Sequence, residues 1–515
     1  MLTRLANTLR RIPRGWYTAL LIAYWLGMTG WLVFREAYPG LFEQATTGYR
    51  AMFSGGLLVM DRWMKITFQG APIGYSHTSV DVNDKDPLAQ ITFGNRTLLN
   101  LNLMGQTQHV SVTVRADLDA FYALHRFLFI LSTQGYSVSI SGRRVKDNLF
   151  AVTTHTAGRS DTVTIEIPED AVIYSPMTET ALKALRPGRQ MRLRVFNPVS
   201  MSTETIVVRS LREEPLQQNG HSIPTTVVSM NYLGAEVLSW VNAEGEIVRQ
   251  ETPYGWTMEA SSANEALALS GQAGADLLTA TAVPVDGILN PAARATQVRY
   301  RLRGAPVDAA ALQTHRQHVD AATGSVVELT VRADALPAQS PPLNALAAGH
   351  ADALAATPAL QATDPRLIRQ AQKIIGAHTN SLEAALALYD WVYRNVVKKP
   401  TASLPSALDV LARMEGDCNE HTYLFVGLAR AAGIPALIRV GITYSEGFFY
   451  YHAWPSVYVG QWLDMDPTLG QPAVDAGHIA LLEGEIRSQM NLLPLLGRLR
   501  VEIVAPRPGA VHKEP

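Results

Sequence analysis

Cysteine is all but missing: Cys418 is the one thiol in 515 residues, so no intrachain disulfide and no multi-thiolate metal site can form. Charge is sparse too, at 17% Asp, Glu, Lys and Arg against a usual ~25%. Neither sign is in excess, since 44 basic and 45 acidic side chains leave a net charge of −1. The chain therefore lacks the basic surplus that phosphate neutralisation needs, and nucleic acid is not an expected partner. Gly (37) and Pro (29) are near ordinary usage beside 47% apolar residues, which excludes fibrous repeats and disorder for the bulk of the chain. No nucleotide-binding glycine loop or paired-carboxylate motif stands in a supporting context, so no cofactor is expected. The length predicts about three domains at roughly 150 residues each.

Long apolar runs are also scarce, with one exception. Tyr17 to Phe34 holds 18 residues without a charge, following Arg4, Arg10, Arg11 and Arg14, with Trp16 just before it and Trp25 and Trp31 within it. At ~1.5 Å per residue this makes about 27 Å of helix, enough to span a bilayer. The arginines before it predict a cytoplasmic N-terminus, with the main body periplasmic or otherwise extracytoplasmic. A signal peptide competes, but no A-x-A-like cleavage site follows. Residues 1–40 are thus expected to be a single-pass anchor in the cytoplasmic (inner) membrane.

From residue 41 to 285 the pattern becomes period-two alternation broken by Gly, Asn and Asp, as in Val110 to Val114 and Thr162 to Ile167. It predicts a β-rich domain with hairpin turns at Ser141-Gly142 and around Gly245, and two helices, Phe121 to Leu131 and Thr178 to Leu185. Its expected role is supporting: presenting substrate, shielding a cleft or meeting an envelope protein partner. Residues 286–362 read as a further β-segment followed by an Ala-, Pro- and Leu-rich linker.

Chemistry concentrates in residues 363–505, leaving 506–515 as a tail. Asp364-Pro365 signals a helix start, another helix begins near Ser381, and a third begins at Cys418 and stops at Gly433-Ile-Pro435. Strands follow at Ala436 to Thr443, Phe449 to Val459 and Trp462 to Met465. A thiol in the first turn of a helix is favoured as thiolate by the macrodipole, while Asp417 and Glu420 oppose it. His452 can supply the needed cation, and Asp466 can hold the imidazole. Cys on a helix, His on one strand and Asp on the next can run covalent acyl transfer. A metal site through Cys418, His421 and His452 is the weaker reading, and His421 and His478 read as local packing.

Four motifs in order carry a resemblance: Gly416-Asp-Cys418-Asn-Glu-His421, Leu428-Ala-Arg-Ala-Ala-Gly-Ile-Pro435, His452-Ala-Trp454 and Trp462-Leu-Asp-Met-Asp466-Pro-Thr468. Over roughly residues 360 to 480 the chain resembles the bacterial transglutaminase-like superfamily, whose fold is similar to that of papain-type cysteine peptidases. The resemblance implies Cys418 as nucleophile, His452 as general base and acid, and Asp466, rather than the neighbouring Asp464, as the residue orienting His452. It departs from the family at Pro455-Ser456, where many members carry a polar residue and then Glu. The expected fold class is α+β: a transmembrane helix, a β-rich domain and a papain-like α+β domain. The expected activity is thiol-dependent hydrolysis of peptide or glutamine carboxamide bonds in a peptide or protein substrate. Protein crosslinking is one alternative, and non-catalytic envelope binding or assembly is another.

Overall fold

The computed structural model describes residues 60–504, apart from 84, 135, 157–158, 174–187, 189, 219, 233–234, 254, 270–275, 277–279, 290–294 and 305–307, together with 24, 28, 48 and 49. The described residues are mostly β, with 50% strand and 18% helix, which corrects the α+β expectation. The physical reason is the size of the sheets: one of fifteen strands and one of nine hold nearly all of the described strand residues, and helices are confined to a few short stretches. The transmembrane helix of that fold class is not found either. Among the described residues no helix is long and apolar enough to cross a membrane. All but Tyr24 and Met28 of the apolar run lie outside the described residues, as does the expected helix at 178–185.

Residues 60–261 form the fifteen-stranded sheet, in which sequence neighbours are mostly spatial neighbours and Met60–Phe68 pairs with Trp256–Ser261. Its two edge strands, Arg159–Glu166 and Ala171–Ile173, follow each other in the chain across four residues. The sheet must therefore curl until its edges approach. One apolar cluster then joins Phe150 and Val152 to Val195 and Phe196, and the Phe127 and Phe196 rings lie 5.5 Å apart. One row of this interior reads Phe93, Ala116, Phe127, Gly142, Val152 across five strands, large beside small.

That row explains two misread elements. Gly142 is not a turn; it lies inside the strand Tyr136–Lys146, where a Cβ would stand 1.9 Å from the Phe127 ring. Residues 121–131 are not a helix, because Leu124–Thr133 is a strand that buries Phe127 and Phe129 between two partners. Gly245 does close a tight turn, with φ 86° and its N–H donating to the Asn242 carbonyl.

The second sheet has nine strands: β1 (Val283–Asp286), β2 (Gln297–Arg303), β3 (Gln317–Thr323), β4 (Val326–Arg332), β5 (Ala436–Ser445), β6 (Phe448–Tyr458), β7 (Trp462–Asp464), β8 (His478–Glu483) and β9 (Arg500–Ile503). Their order is β3-β4-β2-β9-β1-β6-β5-β8, with β7 on β6. Four helices pack with it: α1 (Pro365–Ile375), α2 (Ser381–Asn395), α3 (Ala407–Arg413) and α4 (Cys418–Ala431). α4 is apolar nearly all round, burying Tyr423 to Ala429, and is the central helix of this core. Gly427 lets α3 approach closely, since a Cβ there would meet Ala407 Cβ at 2.5 Å. The stretch read as a linker packs Leu346 and Leu360 into the same core.

Candidate active site

Asp417 caps α4: its carboxylate accepts from the Asn419 N–H at 3.1 Å, and Glu420 reaches back to the Asp417 N–H at 2.9 Å. This capping box fixes Cys418 as the first helical residue, facing β6. The half-buried sulfur meets His452 and the backbone of Ala453 on that strand. Burial pushes the thiol pKa up and Asp417 adds to the rise, while His452 and the Ala453 backbone pull it down without cancelling it.

His452 is buried, and its Nε2 donates to Asp466 Oδ2 at 2.8 Å. With Nε2 committed, Nδ1 is the ring nitrogen left for the thiol. Burial alone would lower the imidazole pKa, but Asp466 and the sulfur overcome it and raise it to about 9. Asp466 lies just past β7 in a tight turn, where the N–H groups of Thr468 and Leu469 donate to Oδ1 at 2.8 and 2.9 Å. Burial would raise its pKa, yet the two imidazoles and these donors hold it far below the usual carboxylate range. The structure thus brings Cys418, His452 and Asp466 together from a helix, a strand and a turn.

Asp464, two residues earlier on β7, serves elsewhere. It accepts from Trp454 Nε1 at 2.9 Å and faces Arg439 and His315 at 3.8 and 3.9 Å. Trp454 is fully buried, and its ring lies nearly parallel to His452 with centroids 6.1 Å apart. Pro455 occupies the point on β6 where the pairing with β7 ends, its carbonyl accepting from Met465 N–H, so its missing N–H interrupts no ladder.

The capping-box carboxylates find their other partners in a loop that carries no recognisable motif. Ser403 Oγ bonds Glu420, and Thr401 N–H donates to Asp417 at 3.2 Å. The next residue, Leu404, packs against the core of the fifteen-stranded sheet, and its carbonyl accepts from the Tyr136 hydroxyl. Thr156 on that sheet also bonds Asp409 on α3. The large sheet thereby grips the loop that lines the N-terminus of α4. Burial first, then Asp417, pushes the Glu420 carboxyl up to about 8.

Among the described residues two groups could offer ligands to a metal ion: His452, Asp466 and His478, and separately His315, Asp334 and Asp464. In the second, Arg316 lies 3.8 Å from Asp334 and Arg439 3.8 Å from Asp464, so both acids already face a cation. Cys418, His421 and His452 do not form such a group among the described residues. The His421 ring is buried, with Nδ1 donating to the Asp417 carbonyl of its own helix at 2.7 Å.

Residues 368–467 match the sequence model of the Transglutaminase-like superfamily. No curated protein matches the chain. Among solved structures, the chain is similar to a candidate cysteine protease from Cytophaga hutchinsonii, with 19% identity, 40% of this chain and 83% of that one covered, and a TM-score of 0.29. It is similar to a β-barrel-like protein of a domain of unknown function from Brucella abortus, at 11% identity, 40% and 95% coverage and a TM-score of 0.29. It is also similar to the periplasmic domain of TgpA from Pseudomonas aeruginosa, at 16% identity, 34% and 70% coverage and a TM-score of 0.25.

Proposed function

We propose that the chain is a thiol enzyme that hydrolyses peptide or carboxamide bonds through an acyl–Cys418 intermediate. One observation carries the reading: Cys418 opens α4 against an imidazole whose far nitrogen is held by a buried carboxylate at 2.8 Å. The match of residues 368–467 to the transglutaminase-like superfamily supports it.

The steps follow from the chain's own groups. Loss of one proton from the Cys418–His452 pair leaves a thiolate beside an imidazolium, which attacks the carbonyl carbon. The negative charge passes to the carbonyl oxygen, where the backbone N–H of Cys418 at the start of α4 can meet it. His452 gives its proton to the departing amine as the C–N bond breaks, and an acyl thioester remains. Water, deprotonated by His452, then attacks the thioester and restores the thiol. Asp466 keeps the ring in the one orientation in which Nδ1 faces the sulfur.

An amine in place of water would make the same intermediate a crosslinking step. The full-length chain, incubated with casein and a labelled primary amine, separates the two. Hydrolysis predicts shortened casein, or glutamine converted to glutamate, in a Cys418-dependent manner. Cys418-dependent incorporation of the amine would replace hydrolysis by transfer. The same products with Cys418→Ala would refute the thiol mechanism altogether.

A further inference from the structure

Asp466 is shared. Its Oδ2 accepts from His452 Nε2 at 2.8 Å and also from His478 Nε2, on β8, at 3.1 Å. The other His478 nitrogen, Nδ1, lies 3.2 Å from Asp475 Oδ1. A ring nitrogen without hydrogen would turn its lone pair toward carboxylate lone pairs. A carboxylate at each nitrogen fits hydrogen on both, the imidazolium form of His478. The ring is 1% exposed, and a buried cation is tolerable only where opposite charge meets it, as two carboxylates do here.

The other groups around it do not take over that task. Thr443 Oγ1 is 3.4 Å from Nε2, the Trp454 ring stands edge-on at 5.2 Å, and the His452 ring is 5.9 Å away. Arg316, also buried, spends its guanidinium on the backbone carbonyls of His478, Asp475 and Arg332 and lies 3.8 Å from Asp334. Asp466 does not need His478 for hydrogen bonding, because His452 and two backbone N–H groups already occupy both oxygens. What His478 adds is charge.

We propose that His478 is a positioning residue for the Cys418–His452 pair: it pins Asp466 and shares its charge, so that Asp466 orients His452 without binding its proton too firmly to pass on. The proposal rests on the reading of Cys418 as nucleophile. An imidazole facing an unshared buried carboxylate is a poor proton donor to a leaving amine, and a second cation on the same oxygen offsets that.

The test is the second-order rate of iodoacetamide with the full-length chain from pH 5 to 10, in wild type, His452→Ala, His478→Gln and His478→Asn. The amide variants keep a donor toward Asp466 and lose the charge. The expected result is an upward shift of the labelling midpoint by about one pH unit in both, about tenfold in rate at fixed pH on the rising limb. Ring nitrogen spectra of histidine-labelled wild type should show His478 hydrogen-bearing at both nitrogens through pH 8. A neutral His478 pattern, or midpoints unmoved in the amide variants while wild type still depends on His452, overturns the proposal and leaves the nucleophile reading standing. A wild-type profile that His452→Ala does not alter overturns the nucleophile reading first.

Discussion

Replacing Glu420 by Gln should stabilise the protein at neutral and alkaline pH and leave it nearly unchanged in acid. The side chain is 4% exposed, and its pKa rises from 4.5 to about 8 through burial and then Asp417. Between those values the folded chain holds a proton that the unfolded chain has released. The unfolded state binds fewer protons there, so unfolding becomes easier by ~1.4 kcal/mol for each pH unit. The stability present below pH 4.5 is thus lost progressively as pH rises to about 8, about 3 kcal/mol of it by pH 7 and about 5 kcal/mol in all. Gln carries no proton to lose, and it reproduces the protonated acid's contacts. Its carbonyl accepts from the Asp417 N–H as Glu420 does, and Ser403 Oγ, which donates to Glu420, can turn to accept from the amide. Urea unfolding read by tryptophan fluorescence at pH 5, 7 and 9 provides the assay. Curves that coincide at pH 5 and diverge by several kcal/mol at pH 9 are expected. A gap that stays constant across pH would show that Glu420 is ionised in the folded protein, and the reasoning would fail.

Other substitutions probe the same corner. Asp417→Asn keeps a competent cap but removes the charge beside the sulfur, so the alkylation midpoint of Cys418 should fall by roughly one pH unit; an unmoved midpoint would count against the charge argument. Asp466→Asn should bring His452 down from about 9, so that its imidazolium is lost at lower pH as the pH rises, and casein turnover should drop on the order of 10²–10⁴-fold. Wild-type turnover in that variant would remove Asp466 from the mechanism. Gly441→Ala places a Cβ 2.0 Å from the Ile479 carbonyl between β5 and β8, which should cost about 1–3 kcal/mol and lower the melting temperature.

The start of α4 is legible in sequence because its signals are local: Asp417 and Glu420 form the box around Cys418, and Gly433-Ile-Pro435 ends the helix. The positions of His452 and Asp466 are legible because the short β6–β7 connection forces those segments side by side. Gly142 was unreadable because its role lies in the cross-strand partner Phe127, not in its neighbours along the chain. Residues 121–131 mislead for a related reason, since a dense apolar run fits helix and buried strand alike until its partners are known. His478 reads as local packing and Ser403 carries no signal because their contacts join distant segments: β8 to the Asp466 turn, and a proline-containing loop to the cap of α4. The extent of β structure, two large sheets around few helices, depends on the same non-local pairing.

The most direct measurement is the pH dependence of Cys418 alkylation in wild type and His452→Ala, followed by intact mass, where a single thiol allows a single adduct. Because His452 pulls the thiol pKa down against burial and Asp417, its removal should push the midpoint to higher pH and slow labelling at pH 8 by at least about tenfold. Identical profiles in the two proteins would mean that the sulfur does not sense the imidazole, and the acyl-transfer account would be contradicted.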